Sequence, residues 1–123
     1  MKIDVQGRSA YAYTGGKPWS DAGPCVVFIH GALNDHSVWT LLARWYAHHG
    51  LRVLAVDLPG HGRSEGPPLA SVEALAGWVI ALLEAANVAS AHLVGHSMGS
   101  LIALEAASRA PERAAALVMV GTA

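Results

Sequence analysis

The chain has 123 residues, of which 53% are hydrophobic, and its formal net charge is −1 at pH 7. This length is enough for one globular core, and a near-balanced charge without a run of lysine or arginine gives no electrostatic support for binding nucleic acid or an anionic membrane. The single cysteine, Cys25, excludes an internal disulfide and fits a buried residue in a reducing compartment.

The sequence also argues against a secreted or membrane-spanning protein. Residues 1–16 lack the uninterrupted apolar stretch of a secretory signal. No apolar run reaches the roughly 18 residues that a membrane-spanning helix needs. We therefore expect a soluble protein in the cytoplasm.

The N-terminal segment predicts a β-hairpin. Residues 2–6 (KIDVQ) and 10–14 (AYAYT) alternate between apolar and polar side chains, as half-exposed strands do, and residues 7–9 (GRS) are expected to join them. Residues 15–24 are rich in glycine and proline and predict a loop.

Four later segments are short, continuously apolar and rich in β-branched residues, which is typical of strands buried on both faces of a parallel sheet. They are residues 25–30 (CVVFIH), 52–57 (RVLAVD), 91–95 (AHLVG) and 115–121 (AALVMVG).

Three helical segments separate these strands. The first follows the capping candidates Asn34, Asp35 and Ser37, and its apolar residues recur with a period of 3.6 at Val38, Leu41, Leu42, Trp45 and Tyr46. The second follows the N-cap candidate Ser71 and repeats the pattern at Val72, Leu75, Ala76, Val79, Leu83 and Ala86. The third is expected from about Met98 to Ala110, before Pro111. The fold class is therefore α/β, a mostly parallel sheet with helices on both faces and an N-terminal hairpin.

Ser97 is the first candidate for chemistry. It lies in the pattern Gly95-His96-Ser97-Met98-Gly99, between a predicted strand and a predicted helix, which is the context of a nucleophile elbow. So tight a turn leaves no room for side chains at Gly95 and Gly99, and it forces the serine into a strained backbone with its hydroxyl exposed. The alternative is that Ser97 merely caps the helix.

An oxyanion formed by attack of Ser97 on a carbonyl needs hydrogen-bond donors. The helix that begins at Met98 offers its N–H groups and the positive end of its dipole. A second donor is expected from the loop His30-Gly31-Ala32-Leu33 at the end of the neighbouring strand, and Ala32 is the residue that we select.

Taken together, three motifs resemble the α/β-hydrolase family, especially its serine esterase and lipase-like members. They are His30-Gly31-Ala32-Leu33, residues 57–64 (DLPGHGRS) and Gly95-His96-Ser97-Met98-Gly99. The resemblance implies that Ser97 is the nucleophile and that the N–H groups of Ala32 and Met98 form the oxyanion hole. Serine rather than aspartate at position 97 argues against the family's haloalkane dehalogenases and epoxide hydrolases.

The remaining histidines, Asp57 and Arg63 are interpreted as structural residues. His30 is expected to brace the oxyanion loop, Asp57 and Arg63 to anchor a turn, and His96 to point away from the nucleophile. No recognisable metal spacing with carboxylates or thiols is found for His36, His48, His49 and His92, so no metal is predicted. No cofactor is implied either, since the nucleotide-binding glycine patterns are absent.

The sequence departs from the family after Ser97. Hydrolases of this kind require an acid and then a histidine later in the chain, whereas only Glu105 and Glu112 follow and no histidine does. Residues 1–123 are therefore expected to be one incomplete domain that lacks the C-terminal strands and any lid. The uncovered edge of the last strand predicts marginal stability, self-association or completion by a further C-terminal segment.

Three hypotheses follow. The first is the N-terminal part of a serine hydrolase acting on an ester, a thioester or a similar acyl substrate, inactive by itself without the missing acid and base. The second is a non-catalytic module of the same fold that binds a small apolar ligand or a partner protein. The third is a truncated product without a function of its own. For substrate binding, a partly apolar pocket near Ser97 is expected from Leu33, His36, Trp39 and Met98.

Overall fold

A computed structural model describes residues 1–121. Its six strands form one sheet in the order β1-β2-β4-β3-β5-β6. The strands are β1 (Lys2–Val5), β2 (Arg8–Tyr13), β3 (Cys25–Ile29), β4 (Arg52–Val56), β5 (Ala91–His96) and β6 (Ala114–Val120). The helices are α1 (Thr40–His48), α2 (Val72–Ala85) and α3 (Met98–Arg109). Strands β4, β3, β5 and β6 run parallel, and the hairpin joins antiparallel, so the predicted α/β class is confirmed. Thr122 and Ala123, the end of the predicted domain, lie outside the described residues.

The buried strands send alternate side chains to opposite faces of the sheet. Val27 and Ile29 of β3 pack with α2 and α3, whereas Val26 and Phe28 pack with α1. Strands with two covered faces have no polar side, which is why β3 is buried along its whole length. The helices therefore cover both faces, as the sequence predicts.

The hairpin turn differs from the prediction. Val5 pairs with Arg8, so the two-residue turn consists of Gln6 and Gly7, and Ser9 already lies in β2. Both turn residues have positive φ angles, +54° and +80°. Such a turn matches the right-handed twist of the flanking strands, which explains why the turn is shorter than residues 7–9.

The first helix also begins later than its caps suggest. Asp35 caps a 3-10 turn at His36–Trp39, where its carboxylate accepts a hydrogen bond of 2.8 Å from the N–H of Ser37. Helix α1 follows from Thr40. Ser71 caps α2 as predicted, with its hydroxyl oxygen accepting from the N–H of Ala74 at 3.0 Å.

Most of the apolar stripe that predicts α1 is not buried, and Tyr46 is the stripe residue that packs against the core. Leu41 is 85% exposed and Trp45 is 54% exposed, while Ala43 and Ala47 face the sheet. The loop after β2 also lies close to these alanines, since a side chain on Gly15 would collide with Ala43 and Ala47. Within residues 1–121 no helix is long and apolar enough to cross a membrane.

Candidate active site

Ser97 is the single residue between strand β5 and helix α3. Its backbone has φ +56° and ψ −122°, a conformation that residues other than glycine rarely adopt, and the residue is exposed. The helix starts at Met98, so the turn has no other residue in which to reverse direction. Strand, turn and helix therefore hold the Ser97 hydroxyl at the carboxyl edge of the sheet.

Gly95 and Gly99 are needed because other backbone segments lie against them. A Cβ on Gly95 would collide with the carbonyl of Gly99. A Cβ on Gly99 would collide with the carbonyl of Ile29 and would come within 2.6 Å of the carbonyl oxygen of His30. The two glycines thus allow β5, α3 and the end of β3 to pack against one another.

The Ser97 side chain does not cap helix α3. No hydrogen bond joins the Ser97 hydroxyl to the first turn; instead, the Ser97 carbonyl accepts from the N–H of Ser100 at 3.0 Å. The first N–H groups of a helix have no intrahelical acceptor, and the helix dipole adds positive charge there. Met98 begins α3 beside the Ser97 hydroxyl, so this helix end is suited to a developing negative charge.

The loop after β3 contacts the elbow. A Cβ on Gly31 would lie 3.2 Å from the Cβ of Ser97, and the N–H of Asn34 donates to the carbonyl of Gly31 at 3.3 Å. Ala32 lies within this turn and is exposed, and Leu33 has a φ of +61°. The structure therefore brings the loop that contains Ala32 to the helix end that contains Met98.

His30 ties this loop to the neighbouring one. Its Nδ1 lies 2.7 Å from the carbonyl of Gly31, and its Nε2 lies 3.1 Å from the backbone nitrogen of Leu58. Because a carbonyl only accepts and an N–H only donates, the proton lies on Nδ1. Burial lowers the pKa of His30 below its usual 6.5, although the hydrogen bond to Gly31 opposes this shift. A neutral, buried imidazole that binds two backbone groups is a brace rather than a proton shuttle.

Asp57 anchors two loops and is completely buried. Its Oδ2 accepts from the N–H of Arg63 at 2.9 Å, and its Oδ1 accepts from the N–H of His36 at 2.7 Å. Nδ1 of His36 lies 2.9 Å from the same Oδ1, and the His36 ring packs beside the rings of Tyr11 and Tyr13. The sequence gives no signal for the pairing of His36 with Asp57, because the two residues are 21 positions apart.

The four residues that the sequence assigns to a pocket lie in different environments in the structure. Leu33 is 95% exposed, His36 is held against Asp57, and Met98 is half-buried against the core. Trp39 is buried, packs on Phe28 and lies nearly perpendicular to the His96 ring, with centroids 6.4 Å apart. A small open pocket of about 140 Å³ lies there, lined by Val38, Trp39, His96 and Val120.

Asp35, His36 and Asp57 have ligand atoms within 4.8 Å of one another. Backbone groups already use these carboxylates, since Asp57 binds the N–H groups of His36 and Arg63. Asp35 accepts from the N–H of Ser37, and hydrogen bonding by the Ser37 side chain, together with that N–H, lowers the pKa of the Asp35 carboxyl. These hydrogen bonds to backbone N–H groups explain why the three side chains lie together, and we do not assign a metal site to them.

The comparisons with known proteins agree with this architecture. Residues 24–123 match the model of the alpha/beta hydrolase fold family. The chain is 35% identical to the dihydrolipoyllysine-residue acetyltransferase component of an acetoin cleaving system from Pseudomonas putida, over 100% of this chain and 32% of that protein. It is 44% identical to a pimeloyl-[acyl-carrier protein] methyl ester esterase from Methylococcus capsulatus, over 82% of this chain and 38% of the esterase.

A solved structure gives the same result. The chain superposes on an epoxide hydrolase from Vigna radiata with a TM-score of 0.85 and 26% identity, over 97% of this chain and 38% of the epoxide hydrolase. The chain thus spans about a third of the length of these relatives. With the matching family model, the elbow between β5 and α3 and the parallel sheet, the chain belongs to the alpha/beta hydrolase fold family.

Proposed function

We propose that this chain is the nucleophile-bearing part of a serine hydrolase that acts on an ester, a thioester or a similar acyl substrate. The observation that supports this most strongly is the exposed Ser97 hydroxyl on a strained turn at the N-terminus of α3. A purely structural serine gains nothing from that strain, whereas strained backbone is common at catalytic positions. The esterase among the relatives supports the same class of reaction.

The reaction proceeds through an acyl-enzyme. The Oγ of Ser97 attacks the carbonyl carbon, a C–Oγ bond forms, the hydroxyl proton passes to a general base, and the carbonyl oxygen becomes an oxyanion. The N–H groups of Ala32 and Met98 donate to that oxyanion. Collapse breaks the bond to the alcohol or thiol, which takes the proton from the base. Water then hydrolyses the acyl-enzyme and regenerates Ser97. This chemistry requires no cofactor.

The general base is proposed to be a histidine imidazole, oriented by a carboxylate, outside residues 1–123. No histidine follows Ser97 in the sequence, and His30 and His36 are engaged with Gly31, Leu58 and Asp57. A further segment of the same protein that completes the sheet is the partner that we propose for this chain. A cytoplasmic location is part of the proposal, because the buried, unpaired Cys25 fits a reducing compartment.

Epoxide hydrolases among the relatives raise the question of the nucleophile. The resemblance at this position favours attack on a carbonyl, because a serine hydroxyl, rather than the aspartate of the family's epoxide hydrolases, occupies position 97.

The second candidate function is a non-catalytic module that binds a small apolar ligand or a partner protein. It is favoured by the fact that no imidazole within residues 1–121 hydrogen-bonds to Ser97.

A fluorophosphonate probe tests the proposal in a longer form of the protein that contains residues 1–123 and the completing segment. We expect the probe to label the protein at Ser97, and we expect no label in Ser97→Ala. Ser90→Ala is the matched control because Ser90 is an exposed serine in the loop before β5.

Without a base, the 123-residue chain is expected to react with the probe about 10²–10⁴-fold more slowly than the longer form. Absence of label on the longer wild type would contradict a serine hydrolase. Binding of an apolar ligand that persists in Ser97→Ala, without turnover by the longer form, would support the binding module.

A further inference from the structure

The side chains of Asn34 and Ser97 lie on the same side of Gly31. A Cβ built on Gly31 would have the Asn34 Nδ2 at 3.4 Å and the Ser97 Cβ at 3.2 Å. The amide of Asn34 and the carbon that carries the Ser97 hydroxyl therefore lie around the same point, on the side of Gly31 that faces the elbow. Asn34 is exposed, so a substrate bound at Ser97 has access to its amide.

The backbone of the loop explains this placement. Leu33 has a φ of +61° although it is not a glycine, and its side chain is 95% exposed. The strained backbone of Leu33 is therefore not compensated by burial of the Leu33 side chain. Its structural consequence is the tight turn in which the N–H of Asn34 donates to the carbonyl of Gly31, and this turn brings the Asn34 side chain back beside Gly31.

Asn34 has no structural task that occupies its amide. Within residues 1–121, no hydrogen bond is formed by the Asn34 side chain, and the cap of the following 3-10 turn is the neighbouring Asp35. The carbonyl oxygen of His96 lies 3.4 Å from the same point beside Gly31, yet the Asn34 amide does not bond to it. A primary amide with two free N–H donors thus lies within the candidate active site.

We infer that the Asn34 side-chain amide donates a hydrogen bond to the negatively charged oxygen that forms on the acyl group attached to Ser97. The inference rests on the proposed function, and it adds a side-chain donor to the backbone N–H groups of Ala32 and Met98. A neutral donor aimed at a charged oxygen stabilises the tetrahedral state more than the uncharged substrate. Asn34 is then a catalytic residue rather than a helix cap.

Phenylboronic acid provides a test that does not need the general base. In its complex, a B–Oγ bond to Ser97 forms, the hydroxyl proton is released to solvent, and boron becomes tetrahedral and negatively charged. Binding to the longer form of the protein, the one used with the fluorophosphonate probe, is measured by ¹¹B NMR, which separates trigonal from tetrahedral boron. We expect Asn34→Leu, which keeps the approximate shape without a donor, to raise the Kd about tenfold or more. We expect Asn34→Asp to raise it further, because a carboxylate repels the adduct.

We expect the Kd to rise from the wild type to Asn34→Leu and again to Asn34→Asp. This order indicates a direct contact with the adduct, because a merely structural role of Asn34 would not depend on the charge of the side chain. Circular dichroism checks that both variants fold, and Ser90→Ala provides a variant with unchanged Kd. Ser97→Ala is expected to form no tetrahedral adduct. An equal Kd for the wild type and Asn34→Leu would overturn the inference and leave the proposed function standing. A wild type that forms no adduct, or an adduct that persists in Ser97→Ala, would overturn both.

Discussion

Ser97 combines a strained backbone conformation with fixed surroundings. A serine at this φ and ψ costs on the order of 1–3 kcal/mol, and it persists only where neighbouring contacts impose it. Here the N–H of Ser97 donates to the carbonyl of Val120 at 2.9 Å, and the Ser97 carbonyl accepts from the N–H of Ser100. Close packing of Gly95 against the backbone of Gly99 fixes the turn from the other side. The direction in which the Ser97 side chain leaves the backbone is therefore fixed by the fold.

Gly95→Ala tests this packing at the scale of one methyl group. The added Cβ would collide with the backbone of Gly99, so we expect the free energy of unfolding to fall by about 3 kcal/mol or more. Gly77→Ala in α2 is the matched control. There the Cβ would meet only the flexible end of Arg109 at 3.3 Å, and alanine should raise the free energy of unfolding by about 0.5–1 kcal/mol. Urea denaturation measures both, and equal effects at the two glycines would contradict tight packing at the elbow.

The sequence predicts the elbow because all of its parts are local. A strand, two glycines around a serine and a helix lie within residues 91–109, so their order in the chain is also their order in space. Asn34 and the pair of His36 with Asp57 could not be predicted in the same way. The position of Asn34 depends on a left-handed φ at Leu33, and the pair depends on the adjacency of β3 and β4. Neither leaves a spacing signal in the sequence.

Helix α1 shows that periodicity predicts a helix more safely than it predicts the buried face. The loop after β2 and the sheet approach α1 closely, and a side chain on Gly15 would collide with the carbonyl of Ala43. Only small residues fit such an approach, so Ala43 and Ala47 form the buried face. Leu41, Leu42 and Trp45 are exposed, whereas Tyr46 packs beside Phe28 of the sheet.

Two substitutions in α1 distinguish these faces. Ala43→Leu puts three extra carbons into a fully buried site, and we expect it to lower the free energy of unfolding by about 2 kcal/mol. Leu41→Lys removes the residue that the periodic pattern marks as apolar, yet we expect a change within about 0.5 kcal/mol because Leu41 is exposed. Thermal and urea denaturation of the two variants measure the difference. A large loss for Leu41→Lys and a small one for Ala43→Leu would show that the stripe faces the core.

At the scale of the whole molecule, the two edge strands of the sheet differ in charge and exposure. The hairpin covers one end, with β1 as a short edge strand that carries charged residues, Lys2 and Asp4. At the other end, within residues 1–121, β6 pairs only with β5, and Val118, Met119 and Val120 are exposed. Leu101 and Leu104 of the adjacent helix α3 are exposed as well. Charged short edges resist association, whereas an apolar edge with unpaired backbone groups promotes it.

We therefore predict that the 123-residue chain, studied by itself, self-associates through β6, with a second copy pairing along that edge. Sedimentation equilibrium should show a mass that rises with protein concentration. Lysines at two exposed edge positions, Val118→Lys with Val120→Lys, should shift the equilibrium to the monomer, because a pairing copy would have to accommodate their charges. Leu41→Lys is the control for an exposed apolar residue elsewhere, on α1. A wild type that stays monomeric would contradict the prediction, and an equal effect of Leu41→Lys would assign the association to α1 instead of β6.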